Sequence, residues 1–130
     1  MMKKWKQCFI VLSFAAFCLS AVAGGALAQD PLEVGPHVYK LIYENERVRV
    51  LDLHFNPGEK IEMHAHPDHF VYLLTSGKLV LSYPDGSTKE FVGEPGQVVW
   101  IGAESHAAEN VGGTEVKAVV VELKEPAHTD

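Results

Sequence analysis

Beyond Cys18 the chain has no cysteine, and before Asp30 it has no acidic residue. The first absence excludes a disulfide framework, a thiol nucleophile and a cysteine-ligated zinc or iron–sulfur centre from everything after residue 18. The second leaves Lys3, Lys4 and Lys6 as the only charges of the first 29 residues. A basic excess is missing too. The whole chain carries a formal net charge of −6, and from Asp30 onward 8 Lys and Arg face 17 Asp and Glu, a balance of −9. That excludes a nucleic-acid groove or an anionic membrane face as the main partner, since both require a basic surface. Helical periodicity is absent after Gln29, as are internal repeats and low-complexity tracts. What remains is 130 residues, 47% hydrophobic and 22% charged, the balance of one domain with a core.

The segment at the start reads as an address. A short basic stretch to Gln7 precedes an apolar run from Cys8 to Val22, then Gly24-Gly25 and Ala26-Leu27-Ala28, a small-x-small site for signal peptidase. Residues 1–28 are therefore expected to be a cleavable signal peptide, with residues 29–130 as the mature domain. Cleavage after Ala23 is the alternative site. A retained anchor is the competing reading, because the uncharged stretch from Gln7 to Gln29 is long enough to span a bilayer. The sequence before Cys18 is no lipobox. A mature chain without cysteine suits an oxidising compartment, so the expected location is periplasmic or secreted, with no stable membrane partner after cleavage.

The mature segment alternates short apolar runs with turn formers. Strands are expected over 38–43, 48–55, 61–66, 70–75, 78–83, 88–92, 97–101 and 116–123, with an irregular arm over 30–37. A parity slip at Val50-Leu51 suggests a β-bulge. Asn56-Pro57-Gly58, Ser76-Gly77, Pro84-Asp85-Gly86, Pro95-Gly96 and Gly112-Gly113 mark turns. Strands of this length at this spacing describe an all-β sandwich or barrel with a core over about 38–123.

Chemistry concentrates in the histidines. Of seven (37, 54, 64, 66, 69, 106 and 128), three fall in His64-Ala65-His66-Pro67-Asp68-His69. In a strand, residues i and i+2 face the same side, so His64 and His66 form an imidazole pair on one face. His106, placed at the start of a loop after the strand VVWI, is the candidate third ligand. By parity His69 faces away from the pair and joins it only if a bulge at Pro67-Asp68 turns it inward. Glu62 shares parity with His64 and is a candidate to approach the metal or act behind it. Phe70, Tyr72 and Trp100, with Leu74, Leu79 and Leu81, are expected in the core or the wall of a ligand pocket. Arg47, Arg49, His54 and His128 are expected at the surface, and Asn110 in a loop hydrogen bond. Ser105-His106 is a poor nucleophile–base couple, because neighbouring strand residues point to opposite faces.

These residues resemble the two motifs of the cupin superfamily, small barrels built as a double-stranded β-helix or jelly roll. The first motif, G-x5-H-x-H-x(3,4)-E-x6-G, is matched by Gly58, His64, His66 and Gly77. The second, G-x5-P-x-G-x2-H-x3-N, is matched by Gly96, His106 and Asn110. The likeness covers roughly Val48 to Leu123. Two departures stand out. The family's glutamate ligand falls at Phe70, which binds no metal, and Gly102-Ala103-Glu104-Ser105 replaces the Pro-x-Gly of the second motif. What carries over is a three-histidine centre of His64, His66 and His106, with His69 as a further candidate.

The resemblance implies one divalent transition metal. Imidazole ligation suits Fe, Zn, Cu, Ni, Co or Mn over Mg or Ca. Three neutral ligands leave the ion's +2 charge unmet, which favours anionic ligands such as carboxylates or enolates. The expected function is a metal-binding cupin that coordinates a small organic ligand, with a metal-dependent dioxygenase or C–C bond-cleaving activity as its enzymatic form. A non-catalytic metal- or metabolite-binding or sensing barrel is the alternative. A metal-free barrel of hydrogen-bonded histidines, or a metal-free sugar-nucleotide isomerase or epimerase, ranks behind both. A homodimer through an exposed sheet is implied by resemblance alone.

Overall fold

The computed structural model describes residues 29–124. The expected signal segment and the tail beyond residue 124, with His128, lie outside the described residues. Within them the chain forms one helical turn and nine strands: α1 (Pro31–Val34), β1 (Tyr39–Glu44), β2 (Val48–Phe55), β3 (Lys60–His66), β4 (His69–Leu73), β5 (Gly77–Ser82), β6 (Thr88–Gly93), β7 (Val98–Ile101), β8 (Glu104–Asn110) and β9 (Val116–Leu123). Two antiparallel sheets result, ordered β1-β2-β9-β4-β7 and β3-β8-β5-β6. None of the described helices is long and apolar enough to cross a membrane.

The alternation in β2 and β9 sets the core. Leu51, Leu53 and Phe55 in β2 and Val116, Ala118 and Val120 in β9 are buried, each two residues from the next. They pack with Val38, Ile61, Leu73 and Leu79 between the sheets. Each large side chain removed from water this way contributes roughly 1.5–3 kcal/mol. Asn56-Pro57-Gly58-Glu59 and Glu94-Pro95-Gly96-Gln97 close as tight turns, with the fourth residue's N–H donating to the first residue's carbonyl at 3.1 and 3.2 Å. Gly58 and Gly96 occupy the third position at φ +79° and +84°, a conformation that favours glycine. Asn110, 1% exposed, ties three segments together: its amide donates to the carbonyls of Phe55 (2.8 Å) and Thr114 (2.9 Å), and its oxygen accepts from Gly112 N–H.

Several expectations are corrected. His106 does not begin a loop; it lies inside β8. The arm over 30–37 contains α1, capped by Asp30, whose Oδ1 accepts from Leu32 N–H at 2.8 Å. The slip near Val50-Leu51 is a bulge on the opposite strand, where the register steps from Leu41↔Leu51 to Tyr43↔Val50. A second bulge, unforeseen, lies in β3. Ile61 pairs with Ala108 and His64 with His106, so Glu62 and Met63 oppose Ala107 alone. The extra residue lets Ile61 and His64, three apart, both turn inward, and it leaves Glu62 and Met63 exposed.

Candidate metal centre

Strands β3 and β8 are neighbours in one sheet, and their register sets His64 opposite His106. His66, two residues on, shares the inner face. The three rings meet at centroid distances of 4.9 Å (His64–His66), 4.8 Å (His64–His106) and 5.4 Å (His66–His106). One nitrogen from each falls within a mutual distance of 4.8 Å, and all three residues are buried.

The second nitrogen of each ring is held from behind. His64 Nδ1–H donates to the Glu62 carbonyl at 2.8 Å, His66 Nδ1–H to Glu122 Oε1 at 2.5 Å, and His106 Nδ1–H to Glu104 Oε1 at 2.9 Å. An acceptor at Nδ1 fixes the tautomer in which Nε2 carries the lone pair, the arrangement that orients metal-binding histidines. The Nε2 of His64 is buried with no hydrogen-bond partner. A buried nitrogen without a partner is costly unless something binds it. The residues present therefore fit a metal ion: three convergent imidazole nitrogens, their tautomers set, one of them orphaned.

Electrostatics point the same way. Burial pushes His64 down to about 4, outweighing the bond to the Glu62 carbonyl, and repulsion from His66 and His106 adds a smaller push in the same direction. Burial also pushes His106 to about 4, reinforced by His66 and His69. Both are neutral at pH 7, the state a metal requires.

Behind His66 lies a charged chain that the sequence reading missed. Burial alone would raise the Glu122 carboxyl, but bonds from His66 and Arg49 outweigh it and hold the group below the usual carboxylate range. Arg49 Nε donates to Glu122 Oε2 at 2.5 Å, and Arg49 Nη1 donates to Asp30 Oδ2 at 2.5 Å. Arg49, expected at the surface, is instead largely covered: its side chain is 17% exposed and that of Glu122 1%. The signal was in the alternation. Glu122 is in phase with Val116, Ala118 and Val120, and Arg49 with Leu51, Leu53 and Phe55. A charged residue in the inward phase of a buried strand calls for an opposite charge in the neighbouring one. Tyr39 was also missed as a site residue. It is 5% exposed and edge-on to His64 and His66, at 5.7 and 5.6 Å between centroids.

His69 turns inward, against simple parity. It is 2% exposed, 4.7 Å from the His66 ring centroid, with Nδ1–H donating to the Pro67 carbonyl at 2.8 Å. The set of mutually close donor atoms does not extend to it. Pro67-Asp68 carries the chain from one sheet to the other, so the parity of β3 does not continue into β4. The same reset moves the expected pocket aromatics. His69, Val71 and Leu73 of β4 and Val99 and Ile101 of β7 line the interior. Tyr72 and Trp100 are 41% and 58% exposed on the outer face, with half-buried Phe70 in the same phase. Glu62 likewise contributes its carbonyl, and its side chain is exposed. His54 is partly exposed and pairs with Glu115.

Comparison with known proteins agrees with this geometry. A family model described as a cupin domain matches residues 51–122, more than half of the chain. No curated protein matches the chain. Among solved structures, a cupin domain from Bordetella pertussis Tohama I is similar at 29% identity and a TM-score of 0.63, covering 68% of this chain and 93% of that one. A conserved protein with a double-stranded β-helix domain from Klebsiella pneumoniae is similar at 20% identity and 0.55, over 72% of this chain and 79% of that one. The polyketide cyclase RemF from Streptomyces resistomycificus is similar in fold at 23% identity and 0.51, over 68% and 66%.

Proposed function

The chain belongs to the cupin family, and we propose that it binds one divalent transition metal through His64, His66 and His106 and takes a small organic ligand at the open positions of that metal. The observation that carries this reading is the buried, partnerless Nε2 of His64 within a triad whose Nδ1 atoms are all held by acceptors. His69 stands beside the triad as a further imidazole. When bound, a metal of this kind polarises an oxygen ligand and activates it toward oxidation or bond cleavage. The chain's own residues orient the imidazoles through Glu122, Glu104 and the Glu62 carbonyl, and the apolar wall of the interior excludes bulk water. The reaction class this supports is a metal-dependent dioxygenase or C–C bond-cleaving enzyme on a small carbonyl or carboxylate compound. The segment at residues 1–28 supports a periplasmic or secreted location.

Metal content tests the centre. The protein purified without chelator is expected to carry close to one equivalent of a transition metal by mass spectrometry, and His106→Ala to lose it. A wild type that stays empty after exposure to iron, zinc, copper, nickel, cobalt and manganese would overturn the reading.

A further inference from the structure

The interior lined by His66, His69 and His106 has a one-sided chemistry. A cavity of about 60 Å³ is lined by residues of both sheets, and no Lys, Arg, Asp or Glu is among them. The polar lining is Tyr39, His66, His69 and His106. Three of these rings surround the fourth: Tyr39, His69 and His106 lie 5.6, 4.7 and 5.4 Å from the centroid of His66. The polar groups thus form one spot. The remaining wall is hydrocarbon, including Leu53, Phe55, Leu79, Leu81, Phe91 and Val120.

The charge around this spot is nearly closed. Arg49 pairs with Asp30 and Glu122, and Glu104 accepts from His106, so these charges sum to a formal −2 beside the donor set. That offsets the +2 of a divalent ion, so a ligand need bring at most one negative charge. This departs from the anionic preference that the three neutral histidines alone imply. Tyr39 adds a donor. It is buried beside His64 and His66, and among the described residues its hydroxyl makes no hydrogen bond.

We propose, resting on the metal reading above, that the ligand is a small molecule with an uncharged apolar body of about one aromatic ring and a single oxygen-donor head. The head occupies the metal and accepts from the Tyr39 hydroxyl; the body fills the hydrocarbon part of the interior. Polyols, sugars and amino acids are disfavoured, because their further polar groups meet no partner on this wall.

Three probes with one head and different bodies test it on the zinc-loaded protein by calorimetry: acetohydroxamate, benzohydroxamate and 4-carboxybenzohydroxamate. Benzohydroxamate is expected to bind about 10- to 100-fold more tightly than acetohydroxamate, from the extra apolar area buried. The carboxylated probe is expected to bind no more tightly than acetohydroxamate. In Ala118→Leu, which narrows the wall, the preference for the ring is expected to shrink while acetohydroxamate binding stays; should that variant fail to fold, the probe series on the wild type still decides. A loaded protein indifferent to the body, or one preferring the charged ring, overturns this inference and leaves the metal reading intact. A protein that takes up no metal overturns both.

Discussion

Glu122→Gln is the substitution that most directly probes how the centre is held. The carboxylate is 1% exposed and accepts from two donors, His66 Nδ1–H on one oxygen and Arg49 Nε–H on the other. A carboxamide of the same shape keeps one acceptor and presents an N–H to the other side. If that N–H faces Arg49, a largely buried guanidinium loses its central counter-charge and keeps only Asp30, which is 35% exposed. Breaking one partner out of a buried ion pair costs about 3–5 kcal/mol, a large share of the roughly 5–15 kcal/mol that holds a domain together. If the N–H faces His66 instead, the imidazole must move its proton to Nε2, the nitrogen the metal needs. Loss of such an outer partner weakens metal binding by about 10- to 100-fold. Urea unfolding of the metal-free protein reads the first quantity, and zinc competition with a chromophoric chelator reads the second. The paired change Arg49→Met with Glu122→Leu separates them: stability is expected to return toward wild type, since no buried charge is left alone, while zinc affinity stays low. A stability loss below about 1 kcal/mol with unchanged zinc affinity would refute the account, because a carboxylate so placed cannot be replaced at no cost in both.

The metal-free protein should weaken in mild acid. His64 and His106 are held at about 4 in the fold against an ordinary value of 6.5, so the unfolded chain takes up protons first; their contribution is full above pH 6.5 and is lost as pH falls toward 4, on the order of 3 kcal/mol for each, read as a drop in urea midpoint between pH 7 and pH 4.5. Asn110→Ala should cost about 2–3 kcal/mol by leaving the Phe55 and Thr114 carbonyls unpaired, and equal midpoints for variant and wild type would refute that. At Gly77, the closing glycine of the first motif, a Cβ would fall 2.1 Å from a methyl of buried Val116, so Gly77→Ala should lose about 1–3 kcal/mol by thermal or urea unfolding.

Strands whose alternation is strong were legible from the sequence: β2 spans Val48–Phe55 and β9 Val116–Leu123, as their apolar phase predicts. The missed strand, β8, reads ESHAAEN, which carries little β propensity. It is a strand because β3 and β5 flank it and satisfy its backbone on both sides, so tertiary pairing overrides local preference. The motif histidines were legible as a cluster, since His64 and His66 lie on one strand and His106 comes at motif spacing. The phases of His69, Phe70 and Tyr72 were not, because they depend on how a two-residue connection crosses between sheets, and that of Trp100 follows from its pairing with Phe70. Tyr39 gave no signal at all: β1 is exposed over its remaining five residues, so no alternation marks its one buried side chain.

What the linear sequence cannot display is a row across a sheet. In one sheet Arg49 and His69 are both register partners of Glu122; in the other, His64 is opposite His106 and His66 opposite Glu104. Residues far apart in sequence thus become adjacent through pairing alone. A slip of one residue in β9 would replace Glu122 in that row by Val121 or Leu123 and leave Arg49 facing hydrocarbon. The bulge in β3 has the same status on the other side. With regular pairing, Ile61 and His64 could not share the inner face, and the strand would have to give up either its core contact or its ligands. One inserted residue resolves that conflict. The Glu62 carbonyl inside the bulge also accepts from the Nδ1–H of His64, so the irregular segment carries the acceptor that fixes this tautomer.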